Sequence, residues 1–239
     1  PVYQPTLESS AAAASGIRRA LDAQGRRDTQ VVVLAGDGGT YDIGFQCLSS
    51  AAERNENILY ICFDNEGYMN TGAQKSSSTP LYARTASTPA GKTTRKKDLT
   101  GIMAAHGVPY AATASAAHMN DMRRKIDKAK SMHGLRMLTL LIPCIPGWGL
   151  ADDAGLVAAR LAVESGAFPV YEIEDGERYT INVPKTRPVA EYLKIQRRYR
   201  SLDADEIEAL QLEIDAGWAR LERLERLSRA AGAEAVALA

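Results

Sequence analysis

Cysteine is scarce in this chain, with three among 239 residues. So few thiols cannot build a disulfide framework, which points to a reducing compartment and therefore to the cytoplasm. An excess of one charge is also lacking. Lys plus Arg and Asp plus Glu number 29 each, for a formal net charge of zero. That balance speaks against a nucleic-acid partner, because duplex binding draws on surplus positive charge to displace counterions. No apolar run approaches the roughly 20 residues of a membrane helix, so no membrane partner is expected. The opening residues Pro1-Val2-Tyr3-Gln4-Pro5 have neither the basic start nor the apolar stretch of a signal peptide. Nor does the chain open with Met, so a trimmed or processed version of something longer is expected. His106, His118 and His133 lack the paired spacing of a zinc site.

What the sequence does have is alternation. Residues 30–35 are a continuous β-branched apolar run of the kind that forms a strand covered on both faces, and a second apolar run at 58–63 reads as another buried strand. Weaker strand patterns follow at 110–113 and 137–142. Helical patterns cover 6–24 (stopped by Gly25), a stretch opening at Asp42, 98–106 (stopped by Gly107) and 120–132. Strands alternating with helices predict an α/β fold with a doubly wound, mainly parallel sheet. Residues 68–97 are rich in Ser, Thr and Gly without periodicity, and a loop of that length is functional or disordered. Past Trp148 the pattern changes. Residues 171–179 read as a hairpin arm turning at Asp175-Gly176, and Asp203 with Glu206 makes a capping box for a long apolar-faced helix. The expected division is therefore a cofactor-binding α/β domain over 1–150 and a C-terminal arm and helix over 151–239. That extension would pack on the domain or on a partner subunit.

Gly36-Asp37-Gly38-Gly39 sits where a buried strand meets a helix, the place where open parallel sheets bind ligands. Glycines let backbone approach a phosphate, and the amides at a helix start favour negative charge. The Asp37 carboxylate would repel a bare phosphate unless a hard cation such as Mg²⁺ lay between them. By itself, Asp-Gly also reads as a simple tight turn. The second strand adds to the first reading. It ends in Asp64-Asn65, and a strand–helix–strand unit brings neighbouring strand tips together, so Asp37, the Asn65 side chain and the Gly67 carbonyl could share one roughly octahedral metal.

Gly-Asp-Gly followed one such unit later by Asn is the thiamine-diphosphate signature. The blocks from Gly36 to Gly44 and from Asp64 to Gln74, with Ser78-Thr79-Pro80, closely resemble the β subunits of 2-oxoacid:ferredoxin oxidoreductases, of which pyruvate synthase is one. The resemblance continues through Gly107 to Ala114, Pro143-Cys144-Ile145-Pro146-Gly147-Trp148 and Tyr192 to Gln196. It implies that Asp37, Asn65 and Gly67 hold Mg²⁺ and that Gly36, Gly38 and Gly39 lie along the diphosphate. Asn70 and Thr71 would face the cofactor near the reacting centre, although ordinary loop hydrogen bonding also accounts for those two.

The same resemblance implies oxidative decarboxylation of a 2-oxo acid, pyruvate by default, with transfer of the acyl group to coenzyme A and of electrons to ferredoxin. It also implies an α subunit that supplies the activating Glu, and γ and δ subunits in some assemblies. Cys144 alone reads as core filler; the resemblance makes it the last ligand of a [4Fe–4S] cluster. A cubane needs about four thiolates, so either its other ligands lie in a segment preceding Pro1, the reading favoured here, or this protein has lost the cluster. Cys47 and Cys62 read as core. Lys92, Arg95, Lys96 and Lys97 read as a solvated basic loop, or more sharply as a contact for an acidic electron carrier or coenzyme A phosphates. Two rivals stand: a non-oxidative thiamine-diphosphate decarboxylase or synthase, and a non-catalytic phosphate- or nucleotide-binding module.

Overall fold

The computed structural model describes residues 1–237, and the side chains of residues 1–231. Helix α1 (Ser10–Ala23) leads into β1 (Val32–Gly36), α2 (Phe45–Glu53) and β2 (Ile58–Asp64). Strands β1 and β2 are parallel neighbours, with Gly36 beside Phe63. Their carboxyl ends therefore deliver Asp37 and Asn65 to the same place. Helix α3 (Leu99–Ala105), β3 (Tyr110–Ser115), α4 (Met119–Ser131) and β4 (Leu135–Leu141) follow. Strand β4 inserts between β2 and β3, so the sheet runs β1-β2-β4-β3 in parallel before two further strands. Leu48, Tyr60, Met103 and Met137 fill the face beneath α1, α2 and α3, while Tyr110, Leu138 and Leu140 fill the opposite face.

The junction after β1 differs from the helix expected to open at Asp42. Gly38–Ile43 forms a π-helical turn, closed by Gly44 N donating to Gly39 O at 2.9 Å, and α2 starts only at Phe45. A Cβ on Gly44 would fall 2.2 Å from that same carbonyl, so the wide turn depends on glycine there. Turns of this class occur often at functional sites.

Helix α5 (Ile145–Trp148) and α6 (Gly155–Glu164) lead to β5 (Tyr171–Glu174) and β6 (Arg178–Ile181). The hairpin turns at Asp175 and Gly176, with φ of 53° and 73°, as the type I′ geometry demands. The arm lies along the sheet: β5 pairs antiparallel with β3, placing Ile173 beside Ala111. Helix α7 (Val189–Lys194) precedes α8 (Ala204–Ala237). The capping box forms reciprocally, with Glu206 N donating to Asp203 Oδ1 at 2.8 Å and Asp203 N to Glu206 Oε2 at 3.1 Å. Trp148, Phe168, Tyr192 and Leu210 build a second core joining α5 to α8.

The segment from Tyr68 to Lys97 is ordered and partly internal. Ser76, Ser78 and Thr79 are completely buried. The basic run is not a solvated loop. Lys92 is buried, donating to the carbonyls of Ser77, Thr79 and Arg95; Lys96 pairs with two buried carboxylates; Lys97 donates to the Tyr41 carbonyl. Arg95 alone of the four is largely exposed, in an ion pair with Glu213. Spacing within the run held no sign of this, because the partners come from β2, the hydroxyl segment and the turn after β1.

Candidate functional site at the tips of β1 and β2

One terminal atom of the Asn65 amide lies 2.9 Å from Asp37 Oδ1 and 2.8 Å from the Gly67 carbonyl oxygen. With its nitrogen turned inward the amide donates to both. With its oxygen inward it stands as a third oxygen beside both of the others. A cation bound there selects the oxygen, because an amide nitrogen has no lone pair to offer a metal. An octahedral ion with bonds of about 2.0–2.1 Å has adjacent ligands about 2.9 Å apart, so this spacing suits a small hard cation. Asp37 is 1% exposed. Burial, and then the neighbouring charge of Asp64, push its carboxyl up to about 7 against the opposing effects of Ser76 and Lys96. A bound cation would relieve that cost.

Three features aim these donors. Glu66, between Asn65 and Gly67, adopts φ of 65°, a left-handed conformation unusual for a residue with a side chain. The reversal it makes brings the Gly67 carbonyl round to the Asn65 amide. Arg198 Nη2 at 2.6 Å and Lys96 Nζ at 3.1 Å hold the buried Glu66 carboxylate. Burial pushes that carboxyl up, but the two cations outweigh it and hold it below the usual range. Next, Ser76 Oγ donates to Asp37 Oδ2 at 2.5 Å, and Thr79 Oγ1 donates to the Glu66 carbonyl at 2.7 Å. Finally, Asp64 takes Lys96 Nζ at 2.7 Å and Tyr41 Oη at 3.1 Å, anchoring the end of β2.

The other expected site residues are distributed around this point. A Cβ on Gly38 would lie 2.3 Å from the Tyr68 ring, and one on Gly39 would lie 3.0 Å from Leu7; at Gly36 nothing comes within 4 Å. The glycines at 38 and 39 thus make room for protein side chains, while the first amides of the turn lack intrahelical partners. Asn70 and Thr71 are exposed, in a loop closed by mutual bonding of Tyr68 and Gln74 backbone. Thr71 Oγ1 bonds to Gln74 Oε1 at 2.5 Å. Cys144 follows β4 and packs beside Met69 at the same end of the sheet, whereas Cys47 and Cys62 belong to the core beneath α2. Among the described residues, no three His, Cys, Asp or Glu side chains converge as a metal site.

Residues 2–139 match the family model described as thiamine pyrophosphate enzyme, C-terminal TPP binding domain. The chain is 49% identical over 228 residues to pyruvate synthase subunit PorB of Methanocaldococcus jannaschii, covering 90% of this chain and 76% of that one. The chain belongs to the 2-oxoacid:ferredoxin oxidoreductase β subunits. Ketoisovalerate oxidoreductase subunit VorB of Pyrococcus abyssi is 43% identical, with coverage of 93% and 76%. The β subunit of NADH-dependent phenylglyoxylate dehydrogenase from Aromatoleum evansii is 41% identical, covering 94% of this chain and 52% of its own. In fold, the chain resembles 2-oxoglutarate:ferredoxin oxidoreductase from Magnetococcus marinus, with a TM-score of 0.56 at 22% identity, covering 85% of this chain and 73% of that one.

Membership of this β-subunit family accounts for the Gly-Asp-Gly and Asn blocks, but several residues that shape the site were not legible as such. Ser76 sat in a segment marked only by its hydroxyl content. Arg198, 132 positions from the Glu66 it holds, had no local signal. Trp148 was legible only as part of a block; its indole Nε1 donates to the Asn65 carbonyl.

Proposed function

We infer that this chain is the thiamine-diphosphate-binding subunit of an enzyme that oxidatively decarboxylates a 2-oxo acid, giving an acyl-CoA and reduced ferredoxin. Bound thiamine diphosphate supplies the carbanion chemistry that breaks the carboxylate bond. Asp37, the Asn65 amide oxygen and the Gly67 carbonyl hold Mg²⁺, with amides of the Gly36–Gly39 turn along the diphosphate. Asn70 and Thr71, on the exposed loop at the same end of the sheet, face the reacting centre. The reading is carried by the Asn65 amide at the tips of β1 and β2, whose distances to Asp37 Oδ1 and to the Gly67 carbonyl both have the spacing of neighbouring ligands on a small octahedral ion.

Residues 1–150 form the cofactor-binding part, and residues 151–239 the extension that supports it and meets other subunits. The activating Glu comes from an α subunit, with γ and δ subunits, ferredoxin and coenzyme A as further partners. Cys144 serves as one thiolate of a [4Fe–4S] cluster whose other ligands come from outside these 239 residues. The free thiols of Cys47, Cys62 and Cys144 fit the cytoplasm, and no described helix is long and apolar enough to cross a membrane. Pyruvate is the default substrate. The relatives named above include a ketoisovalerate and a phenylglyoxylate enzyme, so the acid's side chain is open to a panel assay with a viologen dye.

Asp37→Ala tests the site. The purified assembly should lose its rise in melting temperature with thiamine diphosphate plus Mg²⁺ while keeping its fold. Wild-type cofactor affinity in that variant would overturn the assignment. Iron content before and after Cys144→Ala tests the cluster: loss of iron is expected, and an iron count unchanged by the substitution removes Cys144 from the ligand set.

A further inference from the structure

Three of the four residues from Ser76 to Thr79 reach the parts of the chain that carry the proposed metal donors. Ser76 Oγ meets Asp37, Ser78 Oγ meets Asp64, and Thr79 Oγ1 meets the Glu66 carbonyl. Ser76, Ser78 and Thr79 have no solvent exposure. The hydroxyl of Ser76 also accepts from Ser78 N at 3.1 Å, and Ser76 N donates to Thr79 Oγ1 at 3.0 Å. With an amide pointing at its lone pair, Ser76 Oγ is oriented to give its single proton to Asp37 Oδ2.

The consequence falls on the other carboxylate oxygen. With Oδ2 engaged by a buried donor, Oδ1, the atom 2.9 Å from the Asn65 amide, is the less encumbered oxygen Asp37 offers a cation. We propose that Ser76 is a specificity-determining positioning residue: by occupying Asp37 Oδ2 it makes the carboxylate a one-oxygen ligand and selects Mg²⁺ over Ca²⁺. Two physical differences between the ions carry this. Ca²⁺ accepts two-oxygen carboxylate ligation, with which the Ser76 bond to Oδ2 competes. Its longer bonds, about 2.3–2.6 Å, also place neighbouring octahedral ligands about 3.4 Å apart, wider than the separations of Asn65 from Asp37 Oδ1 and the Gly67 carbonyl. The hydroxyl segment resists that widening because it fixes Asp37 and the Glu66 backbone to a single rigid turn. The inference rests on the metal assignment above and adds the origin of the ion choice.

The test is made on the purified assembly, stripped of divalent ions and saturated with thiamine diphosphate. Mg²⁺ and Ca²⁺ are titrated separately, following the melting temperature and equilibrium dialysis of bound metal. Ser76→Ala should weaken Mg²⁺ by about 10- to 100-fold, the scale on which residues behind a metal ligand act. It should weaken Ca²⁺ much less, so the ratio of Mg²⁺ to Ca²⁺ affinity falls by about 10-fold or more. Ser76→Cys, nearly the same size with a weak donor, should move the ratio in the same direction and carries the test if the alanine variant does not fold. An unchanged ratio, whether both affinities hold or both fall together, overturns the proposal. Asp37→Ala separates the two readings. If it abolishes metal binding while Ser76→Ala keeps the wild-type ratio, the metal site stands and the role of Ser76 falls. If Asp37→Ala binds normally, the metal assignment itself fails.

Discussion

Trp148 Nε1 donates to the backbone carbonyl oxygen of Asn65 at 2.8 Å, tying the short helix after β4 to the residue after β2. The indole is fully buried and carries the Arg198 guanidinium 3.9 Å above its ring. Trp148→Phe keeps an aromatic face under Arg198 but removes the donor. We expect a loss of about 1–3 kcal/mol of stability in denaturant unfolding, from the carbonyl left without its partner. Affinity for thiamine diphosphate plus Mg²⁺ should fall by about 10-fold or more. Unaltered binding would show that Asn65 is held without Trp148.

The basic run supplies a contrast within one short segment. Lys96→Met leaves Asp64 and Glu66 buried without their shared cation and should cost about 3–5 kcal/mol. Arg95→Ala removes only a largely exposed pair with Glu213 and should cost at most about 1 kcal/mol. Urea unfolding of the two variants side by side measures the difference. Equal losses would contradict the structural role assigned to Lys96.

Gly38 and Gly36 should also part company. At Gly38 a methyl group would displace the Tyr68 ring and with it the bonds from Tyr68 Oη to the Gly38 carbonyl at 3.1 Å and Asp42 at 3.3 Å. Gly38→Ala should therefore cost about 1–3 kcal/mol by overpacking. Gly36→Ala meets nothing within 4 Å and should stay within about 0.5 kcal/mol of wild type. Thermal unfolding without cofactor reads both effects apart from ligand binding.

Glu172 gives a pH dependence away from the site. Burial would push its carboxyl up, but hydrogen bonds from Tyr110 and Arg124 and the charge of Lys128 outweigh burial and hold it at about 2. The folded value lies below the unfolded one of 4.5, so the folded protein binds fewer protons in between. Stability from Glu172 is complete above pH 4.5 and is lost as pH falls towards 2. The unfolding midpoint of Glu172→Gln should lie below wild type at pH 6, with the gap closing through that acidic window. A gap independent of pH would assign the glutamate a packing role instead.

How much of this was legible in the sequence follows from range. The strands β1 and β2 and the residues at their tips announced themselves through runs of apolar residues ended by Gly-Asp-Gly and Asp-Asn. The Asp203 and Glu206 capping box and the Asp175-Gly176 turn were equally plain, because their partners lie three residues apart or fewer. The supports of the site were not. Ser76 meets Asp37 across 39 positions, and Arg198 meets Glu66 across 132, so no periodicity could reveal either. The basic run misled for the same reason: apart from the Arg95 carbonyl that Lys92 meets, its charges are answered by acids and carbonyls from elsewhere in the chain.

The hairpin that completes the sheet bears on how this protein can be handled. Strand β5 pairs with Tyr110, Ala111 and Ala112 of β3, and a Cβ at the hairpin tip, Gly176, would fall 2.6 Å from the Ala104 carbonyl at the end of α3. A fragment cut after residue 150 would strip β3 of that neighbour and bare a row of unpaired amides and carbonyls, a template for sticking to other chains. Expression trials aimed at a minimal cofactor-binding piece should accordingly yield aggregates, while lengths that retain the hairpin and the following helix should stay monodisperse.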